Sequence, residues 1–115
     1  MWEVETTDLF DEWFDAQDEP TQEKVLAGML ALQKGGPSTG RPLVDTVNAS
    51  AYLNMKELRI QHMGGPLRAF FAFDPARTAI ILCADNKVGD EKRFYKKMIP
   101  IADKEYARHL ATLKR

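Results

Sequence analysis

Between Tyr52 and Ala84 the chain offers three strand-length segments joined by short turns, and this stretch limits the fold more than any other. The segments run over Tyr52–Ile60, Pro66–Phe73 and Thr78–Ala84, with "QHMGG" and "DPAR" between them. Glycine and Asp-Pro supply good turn chemistry, so the spacing predicts an antiparallel meander. Such a sheet needs its apolar face covered by another layer. The preceding residues supply one.

Residues 2–6, "WEVET", alternate apolar and acidic side chains, which predicts a short strand with one wet face. In "DLFDEWFDAQ" the apolar Leu9, Phe10, Trp13 and Phe14 form a helical stripe, and Thr7 or Asp8 is placed to cap it. "DEPTQEKVLAGMLALQKGG" reads as a second helix. Pro20 lies in its first turn, Val25, Leu26, Met29 and Leu30 form its stripe, and Lys34 with Gly35-Gly36 marks its end. Two helices so close in sequence are expected to pack as a hairpin on one face of the sheet.

"GGPSTGRPLVDTVNASAYLN" reads as one long irregular connection. After the meander, "DNKVGD" is a polar loop and "EKRFYKKM" is helical. Pro100 is expected to break that helix before "IADKEYARHLATL". The expected fold is therefore α+β, with the order β-α-α-β-β-β-α. It is an antiparallel-dominated sheet with an N-terminal helical hairpin on one face, the other face being left bare. A length of 115 residues, 44% of them hydrophobic, suits a single domain over 1–115.

Charge is unevenly spread. Residues 1–50 hold ten acidic and three basic groups, net −7, whereas residues 51–115 hold seven acidic and thirteen basic groups, net +6. A chain divided in this way can present a basic face to a polyanion while staying near neutral as a whole. The lone Cys83 lies in an apolar run and reads as a core residue. One cysteine and two distant histidines make no metal cluster, so no cofactor is expected. The first residues lack a basic, apolar leader, and no stretch approaches the roughly 18 apolar residues of a membrane span. A cytoplasmic protein without membrane contact is the expectation.

Within the meander, Leu58 and Ile60 share one face of their strand, and Glu57 and Arg59 share the other. If Phe71 and Phe73 face the helices, Arg68 and Phe70 point away from them. A short turn then brings Arg59 and Arg68 together across the ladder, where like charges repel unless something intervenes. An anionic ligand is one such thing, and an ion pair with Glu57 is the plainer one.

"NMKELRIQHMGGPLRAFFAFDP", followed by "AIILCADNKVGDEKRFYKKMIPIAD", resembles the RelE/HigB-type toxins of bacterial type II toxin–antitoxin modules, nearest to their phage-associated Gp49-like branch. The marks are "ELR" before a turn, an arginine early in the next strand, an aromatic strand ending in "DP", and a lysine soon after the last strand. The resemblance implies a RelE-like fold and an endoribonuclease that cleaves mRNA, commonly on the ribosome, by metal-independent 2′-OH attack. It implies Arg59, Arg68 and Lys87 as catalytic residues, and Lys56, Phe70, Arg93 and Tyr95 as RNA contacts. Tyr95 or Phe70 would stack on a base. Glu57 is a candidate general base, and a structural salt bridge to Arg59 is its other reading. The expected partners are a cognate antitoxin, in this branch often a helix-turn-helix protein, together with mRNA and the ribosome.

Lys92, Arg93, Lys96 and Lys97 equally fit a solvated helix face. His62 falls in the hairpin turn and His109 in the last helix, neither well placed for proton transfer. Two other readings use the same fold: a ParE-like poison of DNA gyrase, and a non-catalytic module that binds protein.

Overall fold

A computed structural model of the chain describes residues 1–62 and 65–114. Its elements are β1 (Glu3–Thr6), α1 (Asp8–Asp15), α2 (Glu19–Gly35), β2 (Val44–Thr46), β3 (Met55–His62), β4 (Gly65–Phe73), β5 (Thr78–Asn86) and α3 (Glu91–Thr112). The strands form one sheet in the order β1-β5-β4-β3-β2. β1 runs parallel to β5, and the other three pairings are antiparallel.

Local chemistry sets the helix starts. The Thr7 hydroxyl oxygen accepts from the Phe10 N–H at 3.1 Å and donates to the Leu82 carbonyl at 2.7 Å, tying the start of α1 to β5. Asp18 accepts from the Thr21 N–H at 3.0 Å, and Pro20 fits the first turn of α2. At the end of α2, Gly36 takes φ +54° against the Trp2 ring, where a Cβ would fall 2.3 Å from ring atoms. No other residue fits there.

α1 rests on β5 and α2 on β3. Phe10, Val25 and Leu32 meet Leu58, Ile60, Leu67, Phe71 and Ile81 in a first core. The N-terminal helices thus cover one face, as expected. The opposite face departs from expectation, because α3 lies on it. Phe94, Met98, Ile99, Ala102 and Tyr106 pack against Met55, Phe70, Ala72, Ile80 and Leu82 in a second core. The i, i+4 spacing of Phe94, Met98, Ala102 and Tyr106 makes the stripe that buries this helix. The protein is three-layered, and its sheet has no bare side.

Three further expectations are corrected. Pro100 lies inside a continuous α3. It and Lys96, whose carbonyl loses its helical partner, are both exposed, so water can serve that carbonyl. The irregular connection contains β2, whose Val44 pairs with Leu58 at the sheet edge. The first meander strand begins at Met55 rather than Tyr52 and reaches His62. Gly65 opens β4, whereas Met63 and Gly64, the rest of the expected turn, lie outside the described residues. In the β4–β5 ladder Phe70 pairs with Cys83 and Phe71 with Ile81, leaving Leu82 as an extra residue.

Candidate active site

Strand alternation places Glu57 and Arg59 of β3 on the face that α3 covers, together with Arg68 of β4. Arg59 pairs directly with Arg68, Asp45 with Glu57, and Arg68 with Asp85. A band of charge therefore crosses four strands near the hairpin end of the sheet.

The opposed arginines differ in burial. Arg68 is 3% exposed. Its Nη1 donates to the Leu67 carbonyl at 2.9 Å. Its Nε lies 3.7 Å from Glu57 Oε1, close enough for Coulomb attraction and too long for a hydrogen bond, so this buried N–H has no hydrogen-bond partner among the described residues. Arg59 is half-buried, and among the described residues no carboxylate lies within 4 Å of its guanidinium. Its charge is felt nearby: Asp45 is held below the usual carboxylate range, first by its hydrogen bond from Arg41 at 2.8 Å, then by the Thr46 N–H, and last by Arg59.

Glu57 is the centre of the cluster. It is 6% exposed and accepts the Tyr95 hydroxyl at 2.6 Å on Oε1. Burial, then the bond to Glu57, pushes the Tyr95 phenol up to about 12, while Arg68 pulls the other way. At neutral pH Tyr95 is therefore a donor. Lys87 is fixed by its backbone N–H to the Pro66 carbonyl at 2.8 Å, and its Nζ lies 3.1 Å from Glu91 and 6.0 Å from the centre of the Tyr95 ring. Its side chain is 18% exposed. Arg68, Glu57, Tyr95 and Lys87 thus form one connected network with Arg59 beside it. Chemically this offers an acceptor, a donor and two half-buried cations, of which Lys87 is paired with Glu91.

Other residues named from sequence fall elsewhere. Lys56 points to the α1–α2 face and donates to Thr46 at 3.1 Å, so it does not join the cluster. Phe70 is 0% exposed, between the rings of Phe94 and Tyr95 at 6.1 Å each, and has no surface to offer a base. Arg93 is exposed on α3 with no ion pair among the described residues. Arg68 was expected on an open face and is instead internal, because α3 closes over it. His62 bonds Thr21 at 2.9 Å and His109 bonds Asp74 at 2.7 Å, both outside the cluster. Asp45 went unnoticed because β2 was hidden in a Gly- and Pro-rich stretch.

The three-layered α+β fold is shared with solved structures. The isolated E. coli RelE toxin superposes with a TM-score of 0.60 at 6% identity, covering 85% of this chain and 99% of that one. A chain of the toxin–antitoxin complex RelBE2 from Mycobacterium tuberculosis gives 0.56 at 13% identity, covering 74% of this chain and 96% of that one. At such identities the likeness is one of fold, and it bears out the RelE-like architecture. Residues 12–107 match the family described as phage derived protein Gp49-like (DUF891), and the chain belongs to that family. Two Mycobacterium tuberculosis relatives are similar in sequence. "Putative toxin HigB2" is 47% identical over 100 residues, which make up 86% of this chain and 50% of that protein. "Putative toxin HigB3" is 45% identical, with 87% of this chain and 86% of the relative covered. The chain thus spans about half the length of the first relative and most of the second. Among the described residues no helix is long and apolar enough to cross a membrane.

Proposed function

We propose that this protein is the toxin of a type II toxin–antitoxin module and an endoribonuclease that cleaves mRNA, on the ribosome, by metal-independent attack of the RNA's own 2′-OH. The carrying observation is a half-buried Arg59, without an ion pair among the described residues, on the same face of a RelE-like sheet as the Glu57–Tyr95 acceptor–donor couple. The names of the two relatives point the same way.

In this reading Arg59 binds the scissile phosphate and stabilises the charge that builds on it. Glu57 takes the 2′-OH proton as the 2′-oxygen bonds to phosphorus. The bond from phosphorus to the 5′-oxygen breaks, leaving a 2′,3′-cyclic phosphate. Lys87 offsets charge on the leaving 5′-oxygen, which then takes a proton from solvent. Tyr95 donates to Glu57 and aligns it. Arg68 is a positioning residue: its buried guanidinium compensates Glu57 from inside the protein.

The proposed partner is a cognate antitoxin, as in the solved RelBE complexes of the fold neighbours. Covering the charged end would neutralise this toxin while leaving α3 in place. Pulling α3 away would expose the whole second core. The deciding experiment incubates purified protein with a defined mRNA, with and without ribosomes, and follows growth on expression. Fragments carrying cyclic-phosphate ends are expected. Intact message with an induced SOS response would replace this reading with gyrase poisoning.

A further inference from the structure

Arg59 stands diagonally across the sheet edge from Asp45. Val44 pairs with Leu58 and Asp45 with Glu57, and beyond β2 the Arg59 N–H donates to the Leu43 carbonyl at 2.6 Å. Such diagonal neighbours lie about 7–8 Å apart, within reach of a long side chain. Packing leaves room for the movement, since Arg59 borders a cavity of about 260 Å³ with Pro42, Leu43 and Gln61. Opposite charges this close attract, yet among the described residues no ion pair joins Arg59 to Asp45. Asp45 is engaged elsewhere: its Oδ2 accepts from Arg41 Nη2 at 2.8 Å, and its Oδ1 from the Thr46 N–H at 2.9 Å. The Val44 N–H, bonded to the Gly40 carbonyl at 3.1 Å, closes the turn that brings Arg41 back over Asp45. Glu57, the other carboxylate beside Arg59, is engaged by Tyr95 and Arg68.

We infer that Asp45 is an internal competitor for Arg59, and that Arg41, by holding Asp45, keeps Arg59 open for an RNA phosphate. Arg41 is thus a positioning residue that acts through Asp45 and not on the RNA. This rests on the ribonuclease reading above and adds to it what keeps the phosphate-binding group free. A carboxylate and a phosphate are both oxyanions, and they compete for the same guanidinium fork. Asp45 is held below its usual range first by the Arg41 hydrogen bond, then by the Thr46 N–H, then by the charges of Arg41 and Arg59, so both guanidinium groups act on one carboxylate. While Arg41 neutralises that carboxylate, its pull on Arg59 is weak. Without Arg41 the pull is uncompensated, and a fraction of molecules close Arg59 onto Asp45. The apparent affinity for RNA then falls by that fraction, and turnover of bound RNA is unchanged. The Arg41 side chain is 74% exposed, and exposed pairs are weak, so the effect is a modest one.

The test measures kcat and KM on a defined mRNA, with the unfolding midpoint of each sample, for Arg41→Ala, Asp45→Asn and the double variant. Arg41→Ala should raise KM about two- to fivefold at unchanged kcat and midpoint. Adding Asp45→Asn should bring KM back to the wild-type value, and Asp45→Asn alone should not raise it. A KM that stays raised in the double variant, with the salt slope of RNA binding lower by about 1, makes Arg41 a direct phosphate contact and overturns the inference. A wild-type KM in Arg41→Ala, or a loss that follows the midpoint, overturns it while mRNA cleavage still stands. The NMR signal of the Arg59 guanidinium gives a readout independent of cleavage. It should move in Arg41→Ala and return in the double variant, and a signal that stays in place overturns the inference. A wild-type protein that cuts no mRNA overturns the ribonuclease reading itself, and the guanidinium signal then decides alone whether Asp45 competes for Arg59.

Discussion

The two faces of the sheet are built to different ends. The α1–α2 face holds apolar side chains from both layers, with Leu58, Leu67, Phe71 and Ile81 fully buried. The α3 face is apolar only over part of its length. Around Met55, Phe70 and Ala72 it is a core, and toward the hairpin end it becomes a band of Asp45, Glu57, Arg59, Arg68 and Asp85. Burying charge costs stability unless each group is paired. The α3 face therefore carries features that packing alone does not explain, and Arg59, which has no ion pair among the described residues, is the clearest. Both faces carry a packed core, and the chemistry proposed above belongs to one end of the second.

Substitutions can break that contrast. The largest stability effect is expected from Arg68→Ala, which leaves Glu57 as an uncompensated buried carboxylate and should cost about 3–5 kcal/mol. Denaturant unfolding measures it. The sequence places Arg68 on a bare face, and its burial under α3 is what makes this cost large. Leu58→Ala on the other face should cost about 2–5 kcal/mol by leaving a cavity, and any cleavage lost should return with the folded fraction. Tyr95→Phe removes one bond to a charged acceptor, about 1.5–3 kcal/mol at most.

The same residue gives a pH signature. The folded Tyr95 pKa of about 12 is raised above the ordinary value of 10.0, so its contribution is complete below pH 10 and is lost as pH rises toward 12. Melting followed over that window should fall more steeply for wild type than for Tyr95→Phe. The smallest effect is expected from Lys56→Ala: it points to the first face, so cleavage should stay within about twofold, the range of an ordinary surface change. A large loss there would break the division of labour.

Much of this was legible in the chain. Alternation in "WEVET" and in the meander gave β1, β3, β4 and β5, and the helical stripes gave α1 and α2. β2 was not legible, because three residues among proline, glycine and asparagine carry too little period to register. α3 was read as broken because Pro100 is a strong local signal, yet five buried side chains hold the helix through it. Lysines interleaved with that apolar stripe hid its burial, and with it the closing of the second face. Within the site, an ion pair involving Glu57 was readable from alternation, although its partner is Arg68 rather than Arg59. The Tyr95–Glu57 bond joins residues 38 apart in sequence, and no local pattern reports such a contact.

The central claim is that the open guanidinium of Arg59 serves chemistry and not folding. One measurement addresses it most directly: cleavage of a defined mRNA by Arg59→Ala, scored against the unfolding midpoint of the same sample. A fall in cleavage of about 10²–10³-fold at an unchanged midpoint is the predicted result. Cleavage at the wild-type rate, or a loss fully matched by unfolding, would contradict it.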